Sequence, residues 1–468
     1  MQEWRNGRRA GLRIQSQKWG GGSTPLSCTK KKEFMMPCDT SSVFTFGYRD
    51  PSTISIHIDH TIVQPIYEHV LYNQKKTMTT QGFRKGTVST SYIEKACKQN
   101  INNHLKELLF NHCIINYLCS QIYQNHLLMI DDPELLDVSI DPSKYAEFNF
   151  NFNPIVAKIP SEWHKLHFKQ PTRKGYKDLD KQALAFIDIE SKRAKEKASS
   201  CIAPNDWIRF SIRIDLQSSL CQNSCPLNYY DILWLKIENE PIDQTFSNLF
   251  LGKKRNDSFS TTYDFFQQYV CNKLNTKYTF IVTIIDILPH AHFSFDLFKH
   301  SFFLETKEDI HSKLIEILST RNDITQRREI VSTIFHTLIN HSIIPIAPAL
   351  IARKEEAILK NLRENPDYII FRMQPNFKEM VKSLAETQLK ETVIIDSIAY
   401  SENITVDQVD ICAYLNLLQR QRTKAFIYHN SPATQMYSQE IPLPEEYLKR
   451  FCLREKTLNY IIYELTRR

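Results

Sequence analysis

The sequence predicts an α+β protein built from several domains, and three observations support this. Apolar residues alternate with polar ones near residue 55 and again between residues 207 and 288, as in half-buried strands. Apolar residues spaced three and four apart predict amphipathic helices between and after these strands. The chain has 468 residues, which suffices for about two to four domains with substantial cores.

Residues 1–42 differ in composition from the rest and are predicted to form a flexible basic extension. Arginine and lysine outnumber the acids there, and residues 20–23, Gly-Gly-Gly-Ser, are typical of a linker. The segment lacks the apolar stretch of a secretory signal. One interpretation is a basic arm for RNA. We favour a plain extension, or translation that truly begins at Met35 or Met36 instead of Met1.

Residues 43–160 are predicted to form the first folded unit, with both strands and helices. Thr53–Asp59 alternates isoleucine with polar residues, as a strand with one buried face does. A helix precedes residue 80, a longer one follows residue 90, and a second strand is predicted over residues 148–156. The longer helix has apolar side chains at every fourth position: Ile93, Cys97, Ile101, Leu105 and Leu109.

A turn between these two helices is the most informative feature of the sequence. Residues 81–86 read Gln-Gly-Phe-Arg-Lys-Gly and hold two of the ten glycines in the chain. Glycine accepts left-handed backbone without steric cost, so Gly82 and Gly86 predict a tight exposed turn. Such a turn would present Phe83, Arg84 and Lys85 to a partner with acidic or phosphate groups.

The charges around the turn favour the same kind of partner. From Lys75 to Lys106 the sequence has seven cations and a single acid, Glu94. One sign of charge around a helix-turn-helix suits a polyanion and predicts binding that weakens with salt. The turn alone leaves open that it is a solvated connection between two core helices.

The turn resembles the ribosome-docking signature of bacterial trigger factors, Gly-Phe-Arg-x-Gly-Lys-x-Pro. Residues 82–86 fit its first five positions, whereas Thr87 replaces the usual Lys and Ser89 the usual Pro. Losing the cation should weaken an ionic contact, although Ser89 can still cap the helix that follows. The resemblance continues through the long helix to Asn125 and into the strand near Phe148.

This resemblance implies a binding site and its partners. The ribosome-binding residues would be Gly82, Phe83, Arg84, Lys85 and Gly86. They would dock beside the exit tunnel of the large ribosomal subunit, on a ribosomal protein and nearby rRNA, where unfolded nascent polypeptides emerge.

Residues 161–176 are predicted as a linker, and residues 177–292 as a second unit. A helical segment leads into strands over residues 207–216, 232–237 and 278–288. In trigger factors this position holds an FKBP-type peptidyl-prolyl isomerase domain. That activity needs an apolar, aromatic-lined pocket, and no nucleophile or metal.

The residues of this pocket are poorly matched, so the resemblance implies a degenerate FKBP-like domain with doubtful isomerase activity. On the pocket floor only Phe246 and Gly252 fit the family pattern, and the usual Tyr-Thr-Gly and Asp-Gly turns are missing. The candidate walls of a residual pocket are Phe246, Phe250, Phe259 and Tyr278. The alternative is that all four are ordinary core aromatics, as Phe265 and Phe266 would be.

Residues 293–468 are predicted to be helical. No glycine follows Gly252, which suits long uninterrupted helices. Residues 306–309 are typical of a helix start, and residues 405–408 predict a capping box. Residues 343–351 resemble the break between substrate-binding helices in trigger factors, and the last helix also resembles the family. The resemblance implies an all-α chaperone domain whose helical arms hold unfolded polypeptides through weak, scattered apolar contacts.

Composition excludes several other classes of protein. No apolar run approaches the ~20 residues of a transmembrane helix, and the net charge of +7 is modest. The eleven cysteines are irregularly spaced, which predicts reduced thiols and a cytoplasmic protein. Cys221 and Cys225 with His290 and His292 are spaced like zinc ligands, but no second pair of cysteines follows, so neither metal nor cofactor is predicted.

We therefore predict a ribosome-associated chaperone that shields nascent polypeptides at the exit tunnel and assists their folding. The resemblance also links the chain to protein transport and cell division, and leaves open a homodimer off the ribosome. The alternative is an RNA-binding or export chaperone that does not act at the ribosome.

Overall fold

A computed structural model describes most of the chain beyond residue 42. The described residues are 43–50, 52–129, 133–152, 154–172, 177–194, 201–215, 231–238, 244–269, 277–321, 323–363, 368–429, 435–436 and 439–467. The predicted N-terminal extension lies outside them, as do Cys221 and Cys225 of the considered zinc set.

The first unit is built on a four-stranded antiparallel sheet. Its strands are β1 (Phe44–Asp50), β2 (Thr53–Asp59), β3 (Glu134–Asp141) and β4 (Tyr145–Asn151), in the spatial order β1-β2-β4-β3. Ile54 and Ile56 of β2 lie opposite Phe150 and Phe148 of β4, and all four side chains are buried. Strand β4 ends earlier than the sequence predicts because Pro154 follows it, and proline cannot donate to a strand ladder.

Three helices cover this sheet: α1 (His60–Thr77), α2 (Thr90–Leu109) and α3 (Ile115–Gln124). The single long helix that the sequence predicts is interrupted by a π-helical turn over Phe110–Ile114. The Ser89 hydroxyl accepts a hydrogen bond from the Tyr92 amide at 3.4 Å and caps α2, as the sequence predicts. Helices α1 and α2 pack side by side as an antiparallel hairpin, and their connection is the turn of interest.

The second unit contains an antiparallel sheet, and one edge strand of this sheet is contributed by a segment near the C-terminus. Helix α4 (Lys177–Arg193) precedes it. Its strands are β5 (Trp207–Asp215), β6 (Asp231–Lys236), β7 (Ser258–Thr261) and β8 (Thr279–Leu288). Two short helices lie between them, α5 (Gln244–Asn248) and α6 (Asp264–Tyr269).

The remaining part of the described chain is mainly helical. Its helices are α7 (Phe295–Phe302), α8 (Lys307–Leu318), α9 (Gln326–Asn340), α10 (Pro348–Arg363), α11 (Tyr368–Arg372), α12 (Phe377–Ser401), α13 (Gln408–Leu418) and α14 (Glu445–Thr466). Its two-residue strands are β9 (Thr320–Arg321), β10 (Ile324–Thr325), β11 (Gln435–Met436), β12 (Gln439–Glu440) and β13 (Leu443–Pro444).

Strand β13 pairs with β6 and completes the middle sheet in the order β13-β6-β5-β8-β7. Directly after it, the buried Glu445 carboxylate accepts from Arg209 Nη2 at 2.8 Å and from Trp234 Nε1 at 3.0 Å. This buried pair ties the middle sheet to helix α14. A strand contributed from more than 200 residues away carries too short an apolar pattern to be predicted from sequence.

The structure tests two predicted helix starts. At α8, Thr306 and Asp309 form a capping box where the sequence predicts a helix start. A helix also starts at Gln408, but the capping box predicted over residues 405–408 is wrong, because it lies two residues later, on Asp407 and Asp410. Thr405 instead lies before the helix, where its backbone carbonyl accepts from Lys456 Nζ at 2.9 Å.

One hydrophobic core extends from the first sheet into the middle sheet. At the junction His104 Nε2 lies 2.6 Å from the Tyr278 hydroxyl, and the His69 ring stacks on Tyr278 with centroids 5.3 Å apart. Burial lowers the pKa of His69 and raises that of Tyr278 well above its usual value. The architecture is thus a mixed one of helices and small sheets, and its division at residues 160, 176 and 292 stays a prediction.

Candidate functional site

The turn between α1 and α2 is held by hydrogen bonds of its own backbone. Helix α1 ends where the Met78 amide donates to the Gln74 carbonyl at 2.8 Å. The Phe83 amide then donates to the Thr80 carbonyl at 3.1 Å, and the Thr87 amide to the Arg84 carbonyl at 3.0 Å. These two bonds make two consecutive tight turns, so the segment has a defined shape although it projects into solvent.

The two glycines are required by the backbone and not by lack of space. Gly82 has φ 89° and Gly86 has φ 88°, both in the left-handed region. A Cβ atom at either position would meet no heavy atom within 4 Å. The glycine spacing therefore encodes the two turns, as the sequence predicts.

The turn presents its side chains to solvent. All residues from 81 to 87 are exposed, and Val88 behind them is fully buried. The Phe83 side chain is 46% exposed and is close to Tyr92, with ring centroids 5.9 Å apart. Val88 thus anchors the segment to the core, while Phe83, Arg84 and Lys85 project from it.

Exposed aromatic residues other than Phe83 lie at the same end of the hairpin, and the sequence did not single them out. Tyr72, near the end of α1, is 50% exposed, and Tyr92, in the first turn of α2, is 42% exposed. Lys76 Nζ lies 4.3 Å from the centroid of the Tyr72 ring. Aromatic residues beside lysines at polar helix positions would have been the sequence signal.

The hairpin end is cationic. Among the described residues, Arg84, Lys85 and Lys95 form no ion pair, and all three are exposed. The one acid nearby, Glu94, accepts from the Tyr67 hydroxyl at 3.3 Å. Burial and the Glu94 charge raise the pKa of Tyr67 to about 12, which keeps this hydroxyl a donor. The surface can therefore attract a polyanion, with affinity that falls as salt rises.

The four candidate walls of an isomerase pocket lie mostly in the protein core. Phe246 is 3% exposed, and Phe250 and Tyr278 are fully buried. Phe259 is half-buried under Lys253, whose Nζ lies 4.5 Å from the ring centroid. Three of the four side chains are therefore interior, and the fourth is partly covered by a lysine.

The structure brings three of these four residues together. The Phe250 ring lies 5.6 Å from that of Phe246 and 5.8 Å from that of Phe259. Tyr278 belongs to the same core, and its hydroxyl lies 2.6 Å from His104 Nε2 of the first unit. Phe265 and Phe266 pack against Phe246, with centroids 4.5 and 5.7 Å from it.

One group of possible metal ligands occurs in the described part of the chain: His300, Asp407 and Asp410. Asp410 accepts from Lys456 Nζ at 2.7 Å and lies 2.8 Å from His300 Nε2. Asp407 and Asp410 cap each other's backbone amides at the start of α13. These hydrogen bonds show that the two aspartates cap the start of α13 and that Lys456 neutralises the charge of Asp410.

The histidines of the considered zinc set have other surroundings. Burial and the neighbouring Arg420 lower the pKa of His290 to about 4. The His290 amide donates to Asp206 at 2.8 Å, which fixes the connection after β8.

Among the described residues, no helix is both long enough and apolar enough to cross a membrane.

Comparison with known proteins identifies two regions of the chain. Residues 51–181 match the family described as bacterial trigger factor protein, and residues 305–463 match the family described as the C-terminus of the same protein. The two matches together span well over half of the chain. They leave residues 182–304, which contain strands β5 to β8, between them.

One curated relative agrees with these matches. A trigger factor from Geotalea daltonii is 21% identical over 377 residues, which cover 77% of this chain and 83% of that protein. The chain is also similar to a solved structure from a study of promiscuous substrate recognition in the folding and assembly activities of the trigger factor chaperone. It aligns with 90% of this chain and 99% of its own, at 17% identity and a TM-score of 0.33.

Proposed function

Since the chain belongs to the trigger factor family of folding chaperones, we propose that it docks on the large ribosomal subunit and shields nascent polypeptides at the exit tunnel. The docking residues are Gly82, Phe83, Arg84, Lys85 and Gly86. The observation that carries this proposal is the hydrogen-bonded, exposed turn that presents an aromatic ring and two cations. A chaperone acting there works in the cytoplasm.

The chemistry of the turn fits a ribosomal partner. Arg84 can form a two-pronged hydrogen bond with a carboxylate or a phosphate, and Lys85 adds a point charge. Phe83 and Tyr92 supply an exposed apolar surface next to these charges. Exposed surface ion pairs alone contribute little, about 0–1 kcal/mol each, so the aromatic contact is needed for a stable complex.

The clients of the proposed chaperone are unfolded segments with exposed apolar side chains. The hairpin of α10 and α12 has a compact core around Ile358, Leu362 and Val381. Beside it, Ile369 and Met373 are 65% and 79% exposed. Small apolar patches of this kind bind weakly and reversibly, since buried apolar area contributes only ~25 cal/mol per Å².

We further propose that the middle unit has little or no peptidyl-prolyl isomerase activity. Catalysis would require an open apolar cleft that takes the X-Pro bond out of water. The burial of Phe246, Phe250 and Tyr278 supports this proposal.

A second candidate function is RNA binding away from the ribosome, which the cationic hairpin end and its exposed Tyr72 and Tyr92 favour. Crosslinking from position 84 in cells separates the two. A ribosomal protein among the crosslinked partners supports docking, whereas RNA alone or an export factor alone supports the second function.

The docking proposal is tested by pelleting ribosomes with the wild type and with the triple variant Phe83→Ala, Arg84→Ala, Lys85→Ala. We expect at least a tenfold loss of affinity for the variant. We also expect wild-type affinity to fall between low and high salt, less steeply for the variant, because fewer cations remain.

A matched control removes one exposed apolar and two exposed cationic side chains from helix α4: Leu184→Ala, Lys181→Ala and Lys192→Ala. Leu184 is 58% exposed, and the two lysine side chains are 77% and 73% exposed. Equal loss of binding by the control would show that net charge, not the turn, governs docking.

A further inference from the structure

A cavity of about 570 Å³ lies between the first unit and the C-terminal helices. Its walls come from the π-helical turn, α3 and the first sheet on one side, and from α10, α12 and α14 on the other. A volume of this size is typical of sites for small molecules. The docking turn and the aromatic cluster of the middle unit contribute no residue to it, so the cavity is distinct from both.

The wall of the cavity is mainly apolar. It is lined by these aliphatic and aromatic side chains and a thiol: Phe110, Ile115, Leu118, Cys119, Ile122, Leu127, Met129, Leu135, Phe150 and Leu453. Apolar surface that enters such a wall leaves water, which is favourable in proportion to the area buried. A peptide segment would bring an amide and a carbonyl per residue that need hydrogen-bond partners, which apolar side chains do not provide.

The charged side chains of the wall balance each other. They comprise three cations and three carboxylates: Arg353, Lys449, Arg450, Glu134, Asp396 and Glu446. Lys449 Nζ lies 2.7 Å from a Glu446 oxygen, and Arg353 Nη2 lies 3.6 Å from a Glu134 oxygen. Arg454, which is not part of the wall, donates to Asp396 at 2.8 and 2.6 Å, and Arg450 also interacts with a neighbouring group.

This balance disfavours a charged occupant of either sign. An ion that enters the cavity loses its hydration, and this loss is offset only where an unpaired charge of opposite sign receives it. The wall has equal numbers of both signs, and its charged groups already have partners. An uncharged molecule does not need such a countercharge.

One hydroxyl of the wall is available to a ligand. Tyr400, near the end of α12, lines the cavity, and its ring stacks on that of His126 with centroids 4.9 Å apart. In the described part of the chain, no residue forms a hydrogen bond with the Tyr400 hydroxyl. Burial raises the pKa of Tyr400 well above its usual value, so the hydroxyl keeps its proton and can donate. A few polar groups in a mainly apolar wall are what orients a ligand in small-molecule sites.

We propose that this cavity binds a small uncharged molecule with an apolar body and one hydrogen-bond acceptor. The apolar body lies against the aliphatic and aromatic side chains, and the Tyr400 hydroxyl donates to the acceptor. The site shares no residue with the docking turn, so this proposal and the docking proposal are tested independently.

Cys119 provides a direct probe because its side chain lines the cavity. The full-length protein is alkylated with iodoacetamide in the presence of decan-2-one, an uncharged ketone, and the rate at Cys119 is followed by peptide mass spectrometry. We expect decan-2-one to slow alkylation at least fivefold at Cys119. Cys201, a half-buried free thiol outside the cavity wall, is the internal reference and should react at an unchanged rate. No slowing at Cys119, or equal slowing at Cys201, would overturn the proposal.

Charged ligands and a polypeptide test the class of the occupant. Decanoate and decyltrimethylammonium have chains of similar length with an anionic and a cationic head. The comparison is made at pH 8, above the pKa of about 7 to which burial raises Glu446, so that all three carboxylates of the wall are ionised. We expect at least fivefold weaker protection from either ion. Equal protection by one of them, or protection by an unfolded polypeptide but not by decan-2-one, would contradict the proposal.

The variant Tyr400→Phe tests the hydrogen bond, because it removes the hydroxyl and keeps the ring. We expect it to weaken protection by decan-2-one about three- to tenfold, the range of one neutral hydrogen bond. Protection by butylbenzene, which has no oxygen or nitrogen acceptor, should be the same in the variant and the wild type. Tyr463→Phe, at a half-buried position outside the cavity wall, is the control and should bind decan-2-one normally. Unchanged protection by decan-2-one in Tyr400→Phe, or an equal loss with butylbenzene, would refute the role of this hydroxyl.

Discussion

Phe83 and Phe246 are the same residue type in opposite environments. Phe83, at the end of the first hairpin, is 46% exposed beside two cations, whereas Phe246 is 3% exposed among other aromatic rings. Each was singled out from the sequence as a binding residue by resemblance to one family. The difference shows that a resemblance in sequence does not tell an exposed aromatic side chain from a buried one. Phe83 lies in a turn between Gly82 and Gly86, both with left-handed backbone, whereas Phe246 lies within the short helix α5.

The largest expected difference concerns stability. Phe246→Ala should lower the free energy of unfolding by about 3–5 kcal/mol, since it leaves a cavity in a packed core. Phe83→Ala should change it by less than about 0.5 kcal/mol, as is usual at exposed positions. Chemical denaturation of the full chain measures both. Similar effects of the two substitutions would remove the contrast between core and surface.

The next effect concerns the backbone of the turn. Gly86→Ala should cost about 1–2 kcal/mol, because a Cβ atom strains a residue with left-handed φ. Because Gly86 belongs to the docking turn, the strain should also lower ribosome affinity several-fold. The control is Gly47→Ala in β1, where the new Cβ would lie 3.9 Å from the Ser55 hydroxyl, an ordinary contact. Full ribosome binding by Gly86→Ala would show that the shape of the turn is irrelevant.

A smaller effect is expected from restoring the cation that the signature has at position 87. Thr87 is exposed, and its hydroxyl donates to the Arg84 carbonyl at 2.7 Å. Thr87→Lys should raise ribosome affinity about twofold, since one exposed ion pair contributes less than about 1 kcal/mol. Thr87→Gln removes the hydroxyl without adding charge and is the control. An equal gain with glutamine would refute the ionic explanation.

The smallest effect is expected in the middle unit. In a refolding reaction limited by proline isomerisation, the protein should accelerate the slow phase less than twofold at equimolar concentration. Strong acceleration that is lost in Phe246→Leu would contradict this. It would show that the buried ring becomes accessible to an X-Pro bond.

The sequence was most informative where local chemistry decides the structure. The alternation in β2, the capping residues Ser89 and Thr306, and the two glycines of the turn each depend on a few neighbouring residues. The structure confirms all of these features. They could be predicted because backbone sterics and hydrogen bonding act over short distances.

Features formed between distant segments could not be predicted. The pairing of β13 with β6 and the contact of His104 with Tyr278 each join residues far apart in the sequence. Burial of Phe246 was likewise open, because a pocket wall and a core position have the same apolar pattern. Tertiary packing decides between them, and a single sequence does not record it.

The most direct test of the central claim is ribosome pelleting with the wild type and the triple variant Phe83→Ala, Arg84→Ala, Lys85→Ala, both folded to the same extent by circular dichroism. If the exposed turn is the docking element, the variant stays in the supernatant at concentrations where the wild type pellets. If the variant pellets with wild-type affinity, the turn is not the docking element.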